Sequence, residues 1–312
     1  MKTNNKEKAL VLFSGGLDSR LAVKILQEQG LKVEGIHFIL PFGEGCCNTA
    51  CSFNFSQKQD FHLKVIDCST GKLFQEYLDV IKKPKYGRGS SWNPCIDCRI
   101  FMFKKAKQYA DKEGIKIIAT GEVLGERPMS QHNKALKIIE EESGLQGKLL
   151  RPLSAKLLEE TEAEKQGIVN REKLFDIQGR QRIRQIELAK KYNINYPQPA
   201  GGCLLCEKNL KARIQDLLKN KKVDEQEVKL LAVGRHSSGI ILGRNERENL
   251  ILEKMKGIVI IPKESGPTAL VKDKKDVAKA KELIQKYSRH KMKGFEIRKK
   301  LAMKALNEQF LP

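Results

Sequence analysis

The chain has few aromatic residues, few acids for its amount of base, and no long hydrophobic run. Aromatics make up 6% of its 312 residues, with one tryptophan, and only Tyr287 and Phe295 stand among the lysines and arginines of its basic tail. A reader of single strands by ring stacking is therefore not expected. The longest apolar run near the start, Ala9 to Phe13, is far short of the roughly 20 residues of a membrane span and of a signal-peptide core. A soluble, cytoplasmic protein with no membrane partner follows as the expectation. No repeat and no low-complexity stretch is present, and no Gly-x-x-x-x-Gly-Lys-Ser/Thr loop, so the usual machinery for γ-phosphate transfer is missing. The hydrophobic share of 40% is nonetheless enough to bury ordinary cores, and the length suits about two domains.

Acid is the scarcer charge by a wide margin, with 38 Asp+Glu against 59 Lys+Arg and a net charge of +21. Residues 207–312 hold 26 basic and 14 acidic side chains, or +12, leaving +9 for residues 1–206. Lys272 to Lys304 alone carries thirteen basic residues and four acids. Any one such lysine could be plain solvated surface, but the joint excess points to a polyanion, with nucleic acid ahead of an anionic membrane. Backbone and shape recognition of a folded RNA fits best, and Lys293, Arg298, Lys299 and Lys300 are the candidate contacts.

Hydrophobic periodicity predicts strands at 8–13, 31–40, 62–66 and 115–120, alternating with helices from Leu21 toward Gly30, over 72–81 and over 96–112. That alternation predicts an α/β fold with a doubly wound parallel sheet. A further helix is expected over 180–192, followed by the Pro197, Pro199, Gly201, Gly202 punctuation. The expected domains are residues 1–206 and a smaller, basic α+β module over 207–312, with strands at 240–242, 257–261 and 269–271 and a helix over 276–287.

The strongest local signal is Ser14-Gly15-Gly16-Leu17-Asp18-Ser19, between the first strand and the first helix. Its glycines let backbone N–H groups form a phosphate nest at the helix N-terminus, and its serine hydroxyls add donors. Asp18, the one acid of the loop, suits Mg²⁺ beside a triphosphate. The loop is similar to the SGGxDS loop of the N-type ATP pyrophosphatases, the PP-loop enzymes of adenine nucleotide alpha hydrolase-like fold. That resemblance implies ATP cleaved between its α- and β-phosphates, with adenylation of a carbonyl or carboxyl oxygen.

Cysteine is present eight times, and in a reducing compartment these thiols suit metal binding or reactivity better than disulfides. Cys95 and Cys98 form one C-x-x-C pair at a helix start, Cys203 and Cys206 a second in a glycine-bearing loop. The long interval between the pairs leaves three readings open: structural zinc, a 4Fe-4S cluster on three cysteines with one iron open to carry sulfide, or inert or redox thiols. Cys46, Cys47 and Cys51 form a separate cluster, read either as packing residues or as a second metal or accessory sulfur site. Cys68 reads as packing.

Asn93 to Arg99, Thr120 to Gln131, Arg151-Pro152-Leu153, Gly179 to Ala189 and Pro199 to Leu205 together resemble the tRNA sulfurtransferases of the ThiI and MnmA kind. Residues 207–312, through Gly234-Arg235-His236 and Gly266 to Leu270, resemble an NFACT-like RNA-binding module. The resemblance implies a tRNA thiolase that uses ATP and Mg²⁺, thiolating a uridine at C4 in preference to C2. It implies Cys95, Cys98 and Cys203 as metal ligands and catalytic residues beside Asp18, with Cys206, which departs from the pattern, as an alternative ligand or sulfur relay. It also implies inorganic sulfide or a cysteine desulfurase as sulfur donor, and a homodimer. The expected nucleotide-binding set is Ser14, Gly15, Gly16, Asp18, Ser19, His37 and Gly121, although His37, like His62, also reads as a satisfied core histidine. Arg127, Ser130 and Gln131 are expected in a ligand-binding loop after the fourth strand, with Arg127 and Gln131 toward RNA. Among Arg180, Arg182 and Arg184, Arg182 is the chosen RNA contact, and His236 a minor one.

Overall fold

The computed structural model describes residues 6–43, 49–198, 202–220 and 222–300. Cys46, Cys47, Pro199, Gly201 and Lys304 lie outside the described residues. The chain divides into two compact units, residues 1–221 and 222–312. Residues 207–220, expected with the basic module, belong to the first unit, where Lys82 Nζ donates to the carbonyl of Asn220 at 2.9 Å and Lys211 Nζ to that of Ser90 at 3.1 Å.

The first unit runs β1 Lys8–Leu12, α1 Leu17–Glu28, β2 Lys32–Ile39, α2 Thr49–Lys58, β3 His62–Asp67, α3 Gly71–Lys82, α4 Cys95–Glu113, β4 Ile117–Thr120, α5 Asn133–Ser143, β5 Leu149–Leu150, α6 Glu162–Lys165, α7 Ile183–Lys191 and α8 Lys211–Lys219. Its five strands form one sheet in the order β3-β2-β1-β4-β5, and every pair is parallel. Parallel strands need crossover helices, which cover both faces, so the central strands must be apolar on both sides. Ala9, Leu10 and Val11 are fully buried, as are Ala119 and Ile36. On one face Ala9, Val11 and Phe13 pack with Leu21 and Ile25 of α1, Phe55 of α2 and Ala189 of α7. The rings of Phe13, Phe55 and Phe61 lie within 6.2 Å of one another. On the other face α3 packs on α4 through Tyr77 and Phe101, 5.4 Å apart edge to face. Helices α4 and α5 both end at a left-handed glycine, Gly114 and Gly144, the residue that closes a helix there without steric cost. The expected strands and the doubly wound parallel sheet are borne out. Helices α2, α5 and α8 were not expected; α2, Thr-Ala-Cys-Ser-Phe-Asn-Phe-Ser-Gln-Lys, has too weak an apolar stripe to stand out.

The second unit contains α9 Glu225–Leu230, β6 Arg235–Ser237, β7 Ile240–Leu242, α10 Glu246–Lys254, β8 Gly257–Pro262, β9 Ala269–Val271, α11 Val277–Tyr287 and β10 Phe295–Lys300. Its sheet has the order β10-β8-β9-β7-β6 and is antiparallel throughout. Strand alternation sorts its core: Ile258 and Ile260 pack with Ala280 and Ile284 of α11, while Val259 and Leu270 pack with Leu230 and Leu252 on the opposite face. A smaller α+β domain is thus present as expected, with two more strands and two more helices than the periodicity predicts. Strand β10 escapes sequence reading because it is an edge strand whose lysines and arginine face water. No helix among the described residues is long and apolar enough to cross a membrane.

Candidate active site

In the order 3-2-1-4-5 the strand succession reverses between β1 and β4, and the loops leaving the carboxyl ends of those strands bound a crevice where open parallel sheets bind ligands. The loop after β1 is Ser14 to Gly16, with Gly15 at φ 76°, a conformation glycine adopts without strain. Ser19 Oγ donates to the Gly16 carbonyl at 3.0 Å, and Ser14 Oγ lies 3.3 Å from Ser19 Oγ. Gly16 caps α1 and supplies no side-chain acceptor, so the first N–H groups of this twelve-residue helix are left to an external anion.

Arg20, which sequence reasoning missed, holds this loop from below. It is 5% exposed; its Nε donates to the Gly15 carbonyl at 2.7 Å, Nη1 to the Asn195 carbonyl at 2.6 Å and Nη2 to Cys51 Sγ at 3.2 Å. Its guanidinium also lies 4.5 Å from the Phe55 ring centroid. The only sequence signal was a charged residue set on the apolar side of α1. Cys51 is thereby placed behind the phosphate loop.

Gly121, just past β4, brings the second loop against the first. A Cβ there would come within 2.4 Å of Ser19 N and 2.5 Å of the Asp18 carbonyl carbon, so any side chain would push the loops apart. Asp18 points into the crevice with Oδ1 buried and without a hydrogen-bond partner among the described residues. Burial, reinforced by the neighbouring carboxylate of Glu126, raises its pKa to about 6, against the opposing pull of Arg182 and Arg127. A carboxylate with an unmet oxygen beside a phosphate nest fits Mg²⁺, which would satisfy it. His37, 1% exposed near the end of β2, has Nδ1 2.9 Å from the Phe13 carbonyl, to which it donates, while Nε2 is buried and without a hydrogen-bond partner among the described residues.

The loop after β4 is built from its own side chains. Gln131 is buried, its Oε1 accepts from Arg127 N at 3.0 Å, and its carbonyl accepts from Gly125 N at 2.6 Å. Ser130 is buried too. Gln131, expected to face RNA, is therefore enclosed in the loop, whereas Arg127 is exposed. Arg182, also expected to face RNA, is turned toward Asp18 and bonded to Glu126. Glu122 and Glu126, neither singled out from sequence, are both nearly buried. Glu122 lies 3.2 Å from Arg99 and 3.1 Å from Arg151, and Arg151 continues to Glu140. This ladder ties the start of α4 to the loop after β4.

The cysteines of both pairs meet at this edge of the sheet. Asn93 Nδ2 donates to Cys95 Sγ at 3.0 Å, and buried Asp97 accepts from Lys85 N at 2.7 Å and Tyr86 N at 3.1 Å, which shapes the segment leading into α4. The second pair is seated by the turn after β2: Leu204 N donates to the Phe42 carbonyl at 2.7 Å, and Gly43, at φ 128°, lies so near Gly202 that a Cβ would meet its carbonyl oxygen at 1.7 Å. Cys206 lies near enough to Cys95 and Cys203 for the thiols to influence one another, and Cys98 Sγ lies 3.3 Å from Tyr77 Oη. The nearness of Cys206, and then burial, pushes the Cys95 thiol far up. Burial raises Cys98 to about 11 despite Tyr77 and Arg99, and the nearness of Cys203 raises Cys206 to about 11 against the pull of Cys95 and, more weakly, Arg127. Four thiols from two segments suit an iron or zinc centre in donor chemistry. As placed they lie near one another and Tyr77, and among the described residues no group of three or more His, Cys, Asp or Glu side chains is set to hold a metal. Cys68 is fully buried at the end of β3, its thiol raised by burial to about 12, in keeping with packing.

In the second unit, Arg298, Lys299 and Lys300 lie on β10, where Arg298 pairs with Glu296 at 2.5 Å, and Lys293 precedes the strand. His236 Nε2 lies 3.0 Å from the Val233 carbonyl and 3.1 Å from that of Leu230, which makes it part of its own turn.

A parallel sheet of this order with an S-G-G-x-D-S nest at the end of β1 defines a PP-loop α/β domain. Residues 4–170, more than half of the chain, match the family described as thiamine biosynthesis protein (ThiI), and the chain belongs to that family. It is also similar to the tRNA-specific 2-thiouridylase MnmA of Syntrophotalea carbinolica, 33% identical over 129 residues, 39% of this chain and 36% of that protein. The MnmA of Petrotoga mobilis is 30% identical over 135 residues, 38% of this chain and 36% of that protein. The chain thus aligns with about a third of the length of these curated relatives. A solved structure, the predicted subunit of tRNA methyltransferase from Methanocaldococcus jannaschii, aligns with 47% of this chain and 67% of its own at 21% identity and a TM-score of 0.33, too slight a likeness to bear on the fold.

Proposed function

We propose that the protein is an ATP-dependent tRNA thiolase that adenylates a uridine carbonyl oxygen and replaces it with sulfur, at C4 in preference to C2. One observation carries this reading: Arg99, the residue after Cys98, is paired at 3.2 Å with Glu122, whose neighbour Gly121 packs its backbone on Asp18 and Ser19, so the cysteine segment and the phosphate loop are held against one loop. An ATP-activating group and a sulfur-bearing group held against the same loop suit a single reaction that needs both.

ATP lies with its phosphates on the nest of Ser14 to Ser19, and Asp18 would hold Mg²⁺, which would supply neutralising charge beside pyrophosphate. The second unit, an NFACT-like module on this reading, docks the tRNA through Lys293, Arg298, Lys299 and Lys300, and a uridine is flipped from its stack into the crevice. Its carbonyl oxygen attacks the α-phosphate and pyrophosphate leaves. The adenylated carbon then accepts sulfur, and AMP departs with the original oxygen. Cys95, Cys98 and Cys203 would hold a 4Fe-4S cluster, which would supply an open iron as carrier of inorganic sulfide. The nearness of Cys206 to both Cys95 and Cys203 supports a second reading, in which one thiol takes persulfide sulfur from a cysteine desulfurase and passes it to the adenylated carbon, and a neighbouring thiol releases the product by forming a disulfide that an external thiol reduces, with or without zinc. Every residue named for either route lies in one chain, so neither chemistry requires a homodimer.

Nucleoside mass spectrometry of tRNA from a deletion strain tests the reaction: loss of 4-thiouridine supports it, and a full complement of thiolated nucleosides overturns it. Anaerobic reconstitution separates the sulfur routes, since about four irons per chain with matching sulfide supports the cluster. An active preparation without iron supports the persulfide.

A further inference from the structure

Resting on the nucleotide reading above, we infer that Arg182 is a phosphate-binding residue of the ATP site and that Glu126 aims it there, so that this arginine serves the nucleotide and not the tRNA. Arg180, Arg182 and Arg184 share one short segment, but their surroundings differ. Arg180 is exposed, and Arg184 is exposed and paired with Asp176 at 2.6 Å. Arg182, at the N-terminal end of α7, is turned inward with its side chain 20% exposed.

Its Nε donates to Glu126 Oε1 at 3.0 Å, and Nη2 reaches the same oxygen at 2.5 Å. The same Nη2 lies 3.8 Å from Asp18 Oδ2. Glu126 belongs to the loop after β4 and is 8% exposed, whereas Asp18 belongs to the start of α1. The guanidinium therefore spans the two loops that bound the crevice. Of its two carboxylate partners, Glu126 is at hydrogen-bond length; Asp18 forms a looser ion pair that a phosphate oxygen can replace.

Charge explains the exchange. Asp18 and Glu126 place two carboxylates at a site meant for a polyphosphate, which is repulsive unless cations stand between. Asp18, whose Oδ1 is unpartnered among the described residues, would hold Mg²⁺ bound with ATP, and its 3.8 Å ion pair with Arg182 would then give way to a phosphate oxygen. Glu126 keeps the arginine from swinging into solvent, and its planar fork suits a phosphate of the nucleotide. The two arginines that remain exposed, Arg180 and Arg184, are the ones of this segment available to RNA.

The test measures two affinities separately on the full chain: α,β-methylene-ATP with Mg²⁺, and tRNA at fixed salt. R182Q is expected to weaken the nucleotide by roughly tenfold or more and to leave tRNA binding within about twofold. R182K, which keeps the charge and the pairing with Glu126 but not the fork, is expected to fall between, and it carries the test if R182Q does not fold. Unchanged nucleotide affinity in both variants, or weakened tRNA binding with the nucleotide retained, overturns the assignment and leaves the nucleotide reading intact. A wild-type chain that does not bind the analogue overturns the nucleotide reading itself.

Discussion

A half-buried carboxylate with one oxygen unpartnered among the described residues and another carboxylate nearby is costly to keep charged, and Asp18 is in that position with its pKa at about 6. Such a residue contributes to binding a cation more than to the fold. D18N is expected to lower tRNA-stimulated pyrophosphate release by about 100-fold or more while the thermal unfolding midpoint stays at or above that of the wild type. Glu248 shows the opposite case. The bonds from Arg244, at 2.9 Å and 3.0 Å from Nε, outweigh its burial and lower its pKa from 4.5 to about 2. A carboxyl depressed in the folded state adds stability that is complete above the unfolded value of 4.5 and is lost as pH falls from there through about 2. Denaturant titrations at about pH 7 and about pH 2 should therefore show wild type ahead of E248Q at neutral pH, by about 1–2 kcal/mol after solvent screening, and little difference at the acid end. The phosphate-loop residues were legible because a short motif carries its chemistry locally. Arg20, Glu122 and Glu126 were not, because their partners lie on other strands and helices, and a charged letter in sequence does not say whether it is buried.

At the scale of elements, the site is assembled by helix starts and strand ends. Helix α4 presents Cys95, Cys98 and Arg99 from one end, and Glu122 joins that end to β4 and to Arg151. Removing one member of a buried ion ladder leaves its partners charged and unpaired, which costs more than the ladder contributes. E122Q should lose about 2–4 kcal/mol in chemical denaturation, far beyond what an exposed glutamate would show. A loss below about 0.5 kcal/mol would mean that water reaches both arginines. The strands of the parallel sheet were readable as apolar runs bounded by turns, and β8 and α11 were readable by the same reasoning. Helix α2 was not, since a helix covering only part of a sheet needs only a weak apolar stripe. Strand β10 pairs on one side only, with β8, so its sequence keeps the Lys and Arg of a surface segment.

For the molecule as a whole, charge is unevenly placed, and the tail of the second unit carries the densest part of it. Neutralising Lys293, Arg298, Lys299 and Lys300 together should weaken tRNA binding and flatten the slope of log affinity against log salt by up to about 0.9 for each phosphate that is no longer neutralised. Titrations at several salt concentrations measure both quantities, and an unchanged slope would leave these residues as solvated surface. Arg298, already paired with Glu296, should contribute least of the four. The division of the chain at 221/222, later than the Pro/Gly punctuation suggested, has a physical reason: composition marks where a linker could be, whereas the bonds made by Lys211 and Asn220 decide which core a segment joins. By itself the sequence determined the strand-helix alternation, the phosphate nest, the two cysteine pairs and the excess of base, because each depends on residues adjacent or periodic along the chain. Only the tertiary structure decided that the two cysteine pairs meet, that Cys206 stands among them, that Gln131 is enclosed and that Arg182 faces Asp18. Those depend on which strand lies beside which, and a parallel sheet joins residues far apart in the chain through crossovers whose pairings no local pattern encodes.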